Sequence, residues 1–138
     1  MAQSRSDKLK RLVSVQRHME RIAEMELSRT THAREVVAEA MSETLEALTS
    51  LNPVHQVMSG SYSTRYGKLK VQDRQLENLQ EVHEIKVLKE RAKANRLEDH
   101  FNVARDLEDR EADDKAIEDL MEIYLSSSAP ASSKLPER

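Results

Sequence analysis

Two long stretches of this chain combine charged and apolar residues at helical spacing, and a short segment that disrupts helices separates them. The stretches are roughly residues 7–51 and 62–125. The segment between them holds Pro53 and Gly60, from a chain with only 3 prolines and 2 glycines. Because proline and glycine disfavour the interior of a helix, the pattern predicts two long helices joined by one turn.

The sign of the charge alternates along these stretches. Residues 5–21 have six basic and two acidic side chains, hence +4, and residues 24–46 have six acidic and two basic, hence −4. Residues 65–96 have nine basic and five acidic, hence +4, and residues 98–122 have eleven acidic and three basic, hence −8. An antiparallel fold places opposite signs side by side, whereas a parallel in-register pair places like against like. Each exposed pair contributes only a few tenths of a kcal/mol, so the pattern predicts orientation rather than stability.

Composition limits what such a chain can bury. Charged residues make up 34% and aromatic residues 3%, with no tryptophan, which favours a thin two-helix seam over a globular core. Cysteine is absent, which excludes disulfides and thiolate chemistry. The start lacks the apolar run of a signal peptide or membrane span, and a net charge of −3 without a dominant basic face disfavours nucleic-acid binding. We therefore expect a cytoplasmic protein.

The predicted fold is all-α, an antiparallel coiled-coil hairpin over residues 1–125. Ser4 or Ser6 is expected to cap the first helix, Asn52 and Pro53 to end it, and residues 52–61 to form the turn. Gly60 is expected to give the turn its backbone freedom. Ser61 or Ser63 is expected to cap the second helix, and residues 126–138, rich in serine, alanine and proline, form a predicted disordered tail.

Apolar residues spaced by three and four predict which faces meet in the seam. In the first helix these are Leu12, Val15, Met19, Ile22, Ala23, Ala33, Val37, Ala40, Met41, Leu45, Leu48 and Leu51. In the second they are Tyr62, Tyr66, Leu69, Leu76, Leu79, His83, Val87, Ala94, Leu97, Phe101, Ala104, Leu107, Ile117, Leu120, Met121 and Tyr124. Because the second helix is longer, its last turns, with Ile123 among them, are expected to extend past the first helix and remain uncovered. An exposed apolar strip with acidic neighbours is typical of a contact site.

No pattern of residues predicts catalysis, a metal or a cofactor. The five histidines lie 14 or more residues apart, and no Glu-x-x-His motif is present. With two glycines, the chain has no phosphate-binding loop, dinucleotide turn or nucleophile elbow. The acidic residues 108–119 lack a calcium-loop pattern. We expect a protein that is not an enzyme, in which His83 is a polar seam residue that sets register.

The basic opening Lys8-Leu9-Lys10-Arg11-Leu12-Val13-Ser14-Val15-Gln16, the break in mid-chain and the segment Arg91-Ala92-Lys93-Ala94-Asn95-Arg96-Leu97-Glu98 resemble the FliJ/YscO family. These proteins are small cytoplasmic components of flagellar and injectisome type III export machines. The resemblance spans nearly all of residues 8–125. It implies a stalk, similar in shape to the central shaft of rotary ATPases, at the inner face of the bacterial cytoplasmic membrane. Its partners would be a hexameric export ATPase, the export gate protein and export chaperones, with no membrane contact of its own.

No family site residue transfers by motif, so the candidate partner-binding residues come from this sequence. The helix-terminus end, predicted to enter the ATPase ring, comprises Leu9, Leu12, Ile117, Leu120 and Tyr124. The turn end, predicted to meet a second protein, comprises Leu48, Leu51, Val57, Met58, Tyr62 and Tyr66. Seam packing is the alternative for each residue, and the tyrosines are the better candidates because tyrosine is enriched at interface hot spots.

Two other functions remain open from the sequence. One is a secretion chaperone or a coiled-coil scaffold that self-associates into a helical bundle. The other is a nucleic-acid-associated coiled coil that uses the basic residues 86–96.

Overall fold

The computed structural model of the chain describes residues 3–132 and consists of helices there. Helix α1 spans Arg5–Thr49, the short helix α2 spans Pro53–Val57, and helix α3 spans Ser59–Ser132. The two long helices pack against each other in antiparallel orientation. The predicted all-α hairpin is therefore confirmed.

Local side-chain hydrogen bonds cap the starts of α1 and α2. The Ser4 hydroxyl accepts the backbone N–H of Asp7 at 3.2 Å, so Ser4 is the N-cap, as one of the two predicted candidates. At the other end α1 stops at Thr49, two residues before its predicted end at Leu51. The Asn52 side chain accepts the N–H of Val54 at 3.0 Å, with Pro53 as the first residue of α2.

Residues 52–61 are not the loop that the sequence predicted. Most of them are helical, because Asn52 caps a new helix and Pro53 has the φ that a first helical turn requires. Helix α3 already begins at Ser59, so the predicted caps at positions 61 and 63 lie inside it. Gly60 is also helical, and neither glycine has a positive φ. Gly60 therefore does not supply the turn with special backbone freedom.

Helix α3 continues beyond the predicted start of the tail at Ser126. The Ser126 and Ser127 hydroxyls donate to the carbonyls of Ile123 and Tyr124 at 3.1 and 2.9 Å. These bonds satisfy the hydroxyls within the helix instead of drawing the backbone into a turn. Helix α3 therefore continues past the predicted start of the tail at Ser126, and residues 133–138 lie outside the described part of the chain.

The chain divides into two compact units. The first unit comprises residues 1–13 with 96–138. In it, the buried or half-buried positions at coiled-coil spacing are Ser6, Leu9, Val13, Leu97, Phe101, Ala104 and Glu108. Ser6 donates from its backbone N–H to Glu108 Oε1 at 3.0 Å and from its hydroxyl to Glu108 Oε2. This pair fixes the start of α1 beside residue 108 of α3.

The second unit comprises residues 14–95 and continues the same spacing of three and four. Its inward positions on α1 are Gln16, Glu20, Ala23, Leu27, Thr30, Arg34, Val37, Met41, Thr44 and Leu48. Its inward positions on α3 are Tyr62, Tyr66, Leu69, Asp73, Leu76, Gln80, His83, Val87, Glu90 and Ala94. Nearly half of these side chains are polar or charged, so this seam holds far fewer apolar residues than a leucine-rich coiled coil.

The predicted seam of α1 is partly wrong. Leu12, Val15, Met19 and Ile22 are 42–59% exposed, and Leu45 and Leu51 are also exposed. The prediction holds for Ala23, Val37, Met41 and Leu48, and for α3 it holds except at Leu79, Leu107 and the uncovered last turns. The prediction fails on this part of α1 because two of its faces have the spacing of a seam. The face that contains Gln16 and Glu20 packs against α3, and the face that contains Met19 is exposed.

Candidate protein-binding surfaces

The polar side chains of the seam form hydrogen-bonded groups between the helices. Arg91 lies 3.2 Å from Glu20 and 3.3 Å from Glu24. Arg17 donates to Glu20 at 2.8 Å. The hydrogen bond from Arg17, with help from Arg91, holds the pKa of Glu20 below its usual value despite burial. Glu20 therefore stays ionised in the seam at neutral pH.

Gln16 and Glu90 make a second polar link. Gln16 Nε2 donates to the Glu90 carboxylate, and to the Glu90 backbone carbonyl at 3.3 Å. The amide donor of Gln16 is the main reason that the pKa of Glu90 is lowered, and Lys93 at 3.4 Å adds to the effect. Such a link specifies one register, because a shift of either helix would leave the carboxylate without its donor.

His83 lies on the seam, as predicted. Its Nδ1 has no hydrogen-bond partner and lies 3.6 Å from a carboxylate oxygen of Glu26, which also meets Lys86 at 3.4 Å. Among residues 3–132, no group of three or more His, Cys, Asp or Glu side chains has a geometry that could hold a metal ion. Over the same residues no helix is long and apolar enough to cross a membrane.

An exposed apolar surface lies near the end of α3, in the first unit. It is an open groove, called here the C-terminal surface, lined by Ile117, Leu120, Met121, Tyr124 and Leu125. These side chains are 56–72% exposed. They are uncovered because α1 begins beside Glu108, so that α3 continues alone for the following turns. The predicted extension of the second helix past the first is confirmed.

The predicted helix-terminus end does not form as one cluster. Leu9 is a half-buried seam residue, and Leu12 is exposed on α1. From the contact between Ser6 and Glu108, Leu12 lies six residues in one direction and Ile117 nine residues in the other. At 1.5 Å per residue this separates them by roughly 22 Å along the helices. Only Ile117, Leu120 and Tyr124 of the predicted set share a surface.

The predicted turn end is divided between seam and solvent. Leu48, Tyr62 and Tyr66 are half-buried, and the Tyr62 and His55 rings form an edge-to-face pair with centroids 5.8 Å apart. Leu51 and Val57 are 88% and 84% exposed, and Met58 is 44% exposed. With Val54, at 66%, the exposed residues form a second apolar surface, called here the turn surface.

A third apolar surface is the α1 stripe, which consists of Leu12, Val15, Met19 and Ile22. The sequence indicated the stripe by its spacing but assigned it to the seam. The polar residues of α3 could have identified the true seam face. Gln16 can donate a hydrogen bond to Glu90, and Glu20 can accept one from Arg91. Comparisons with protein-family models, with curated proteins and with solved structures found no match for this chain.

Proposed function

We propose that this chain is a non-enzymatic stalk or escort component of a type III protein export apparatus, flagellar or injectisome. In this role it binds the hexameric export ATPase and links that ring to the export gate protein and to export chaperones. It works in the cytoplasm, at the inner face of the bacterial membrane. The proposal joins the FliJ/YscO resemblance to the apolar surfaces described above.

The observation that carries the proposal is the exposure of the C-terminal surface. Five large apolar side chains lie together on a segment that α1 does not cover. Water-exposed apolar clusters of this kind mark protein interaction sites in soluble proteins. Tyr124, at 72% exposure, has the amphipathic ring that interface hot spots favour.

The turn surface supports a second partner. Leu51, Val54 and Val57 are each at least 66% exposed. Since this surface belongs to the second unit and the C-terminal surface to the first, two proteins can bind the chain through different residues. A link between an ATPase and a gate or chaperone needs two such surfaces.

A pull-down with the export ATPase from the same genome tests the proposal. The intact chain is compared with a variant carrying Ile117→Ala, Leu120→Ala and Tyr124→Ala. The matched control carries Val36→Ala, Val71→Ala and Val82→Ala, which removes exposed apolar side chains elsewhere. We expect ATPase recovery with the intact chain and the control, and loss with the first variant. Equal recovery with all three, or none with the intact chain, would overturn the proposed ATPase contact.

A further inference from the structure

Two ion pairs between the helices show which edges of α1 and α3 are neighbours in the second unit. Glu24 lies 3.3 Å from Arg91, and Glu26 lies 3.4 Å from Lys86. Glu24 and Glu26 are two residues apart and therefore point roughly 200° apart around α1, so the two pairs flank the seam on opposite sides. The Glu26–Lys86 pair joins one edge of α1 to the neighbouring edge of α3.

Helical spacing extends these two edges along the second unit. Residues seven apart lie on the same edge of a helix, and the residues four positions before them lie beside them on the same side. On α1 the apolar residues so related to Glu26 are Val15, Met19, Ile22, Ala33, Val36 and Ala40. On α3 the residues so related to Lys86 are Leu79, Val82, Lys89 and Lys93. These residues, with Glu26, Arg29 and Lys86, are called here the basic-apolar face.

The basic-apolar face combines exposed apolar area with positive charge. Its large apolar side chains are 42–59% exposed, namely Val15, Met19, Ile22, Val36, Leu79 and Val82. It has four basic residues, Arg29, Lys86, Lys89 and Lys93, and one acidic residue, Glu26, hence a net charge of +3. This face therefore offers a partner both apolar contacts and positive charge.

The other side of the same stretch, flanked by the Glu24–Arg91 pair, has a different character. Over residues 14–40 and 77–95, its basic residues are Arg17, Arg21 and Arg91. Its acidic residues are Glu24, Glu35, Glu77, Glu81 and Glu84, hence a net charge of −2. Its apolar residues over these ranges are Ala38 and Leu88. Apolar area and positive charge are thus concentrated on one side of the second unit.

We propose that the basic-apolar face is the binding site for an acidic amphipathic helix of another protein. The helix lies in the groove between α1 and α3 and completes a three-helix bundle. Its apolar side chains, spaced by three and four, pack on Met19, Ile22 and Val36. Its carboxylates lie along the α3 edge, beside Lys89 and Lys93.

The length of the face sets the length of this partner helix. Val15 and Val36 lie about 32 Å apart along α1, at 1.5 Å per residue. A helix of about 20 residues, or three heptads, therefore covers the apolar residues between them.

Charge and side-chain size favour this occupant over three others. A second copy that presented the same face would bring +3 against +3, which opposes association. Ala33 and Ala40 are small and half-buried, so they offer a lipid surface little to insert but let a helix approach closely. The phosphates of a nucleic acid would match the lysines and leave the apolar side chains uncovered.

This binding does not depend on the proposed export function. The ATPase contact is assigned to the C-terminal surface, which shares no residue with the basic-apolar face. The Ile117→Ala, Leu120→Ala and Tyr124→Ala variant should therefore bind an acidic helix as the intact chain does. The pull-down with the ATPase and the binding of an acidic helix succeed or fail separately.

A synthetic peptide provides the first test. The probe has three heptads with leucine at a and d, glutamate at e and g, alanine elsewhere, and a fluorophore at one end. The control probe has lysine in place of glutamate. Fluorescence anisotropy with the full chain should give micromolar affinity for the acidic peptide and affinity weaker by about tenfold or more for the basic one. Equal affinity for both peptides, or no binding of the acidic one, would overturn the proposal.

Charge reversal on the chain locates the site. Arg29→Glu with Lys89→Glu changes two exposed residues of the face, and we expect about tenfold weaker binding of the acidic peptide. The matched control is Arg21→Glu with Arg74→Glu, which makes the same change in net charge on the opposite side, where Arg74 lies seven residues before Glu81. It should bind as the intact chain does. An equal loss in both variants would mean that only net charge matters and would contradict the proposal.

A charge among the apolar residues tests the other half of the contact. Met19→Glu should weaken binding of the acidic peptide by about tenfold, because it buries a like charge under the helix. Leu88→Glu, at a 61% exposed position on the opposite side, is the matched control and should leave binding unchanged. Circular dichroism verifies that both variants keep their helix content. Equal binding by the two variants would exclude the apolar contact.

The other occupants are measured in parallel. Light scattering detects a second copy, co-sedimentation with phosphatidylglycerol vesicles detects lipid binding, and anisotropy with a DNA duplex detects nucleic-acid binding. We expect Met19→Glu to leave the oligomeric state unchanged. A dimer that Met19→Glu dissociates would assign the face to a second copy. Vesicle or DNA binding that Arg29→Glu with Lys89→Glu abolishes, while the acidic peptide still binds, would assign it to lipid or nucleic acid. Each of these results would overturn the proposal.

Discussion

Glu108 of α3 accepts two hydrogen bonds from Ser6, one from the backbone N–H and one from the hydroxyl. Ser6 lies in the first turn of α1, where N–H groups lack partners within the helix and where a negative charge is favourable. Helix α3 thus supplies part of the N-terminal cap of α1. The same bonds hold the pKa of Glu108 below its usual value.

Loss of the Ser6 hydroxyl should destabilise the hairpin. Ser6 is only 8% exposed, and Ser6→Ala removes its bond to a carboxylate. We expect the free energy of unfolding to fall by about 1 kcal/mol, measured by urea unfolding followed by circular dichroism. Ser14→Ala is the matched control, since Ser14 is an exposed α1 serine and the change brings the same gain in helix propensity. Equal effects of the two changes would contradict the role given to Ser6.

Stability should fall in acid. Glu20, Glu90 and Glu108 have folded-state pKa values below the ordinary 4.5, mainly through the hydrogen bonds from Arg17, Gln16 and Ser6. Between the folded-state and unfolded-state pKa values, the unfolded chain therefore binds more protons than the folded chain. The contribution of these carboxylates to stability is complete above the unfolded-state pKa and is lost as pH falls through the folded-state pKa values. The urea midpoint, measured from about pH 6 to pH 3, should decrease accordingly.

Replacing one of these carboxylates should reduce that acid sensitivity. Glu90→Gln cannot titrate, so its urea midpoint should change less between neutral and acid pH than that of the wild type. Glu81→Gln removes an exposed carboxylate and serves as the control. An unchanged pH profile for Glu90→Gln would argue against the effect of Gln16 on the pKa of Glu90.

A larger apolar residue in the seam should weaken the fold. Ala94 is 0% exposed, so Ala94→Leu has no room without moving the helices apart. We expect a loss of about 1–3 kcal/mol in the free energy of unfolding, as for other overpacked cores. Ala92→Leu, two residues away and exposed, should change stability by less than about 0.5 kcal/mol. Stabilisation by Ala94→Leu would mean that the seam is looser at this position.

The capped turn should depend on Asn52. Asn52→Ala removes the side-chain acceptor for the Val54 N–H, and we expect a loss of about 1 kcal/mol at most in thermal or urea unfolding. Ser61→Ala tests the cap that the sequence suggested and that the structure places inside α3. It should be neutral or slightly stabilising. A larger effect at Ser61 than at Asn52 would reverse this assignment.

The sequence by itself determined the helices, the break and the orientation. Asn52 and Pro53 interrupt the helix through a local steric effect that does not depend on the rest of the chain, since proline disfavours the helical conformation of the residue before it. Orientation followed from charge sign, as the ion pairs of Glu24 with Arg91 and of Glu26 with Lys86 confirm. These features depend on residues near in sequence or on the summed charge of long segments.

Only the tertiary structure decided which face of α1 meets α3. Leu12, Val15, Met19 and Ile22 have the spacing of a seam, and so does the face that carries Gln16 and Glu20. The face with Gln16 and Glu20 packs against α3 because these side chains form hydrogen bonds with Glu90 and Arg91. The residue pattern of α1 alone does not contain this information. The same choice leaves the apolar stripe of α1 exposed.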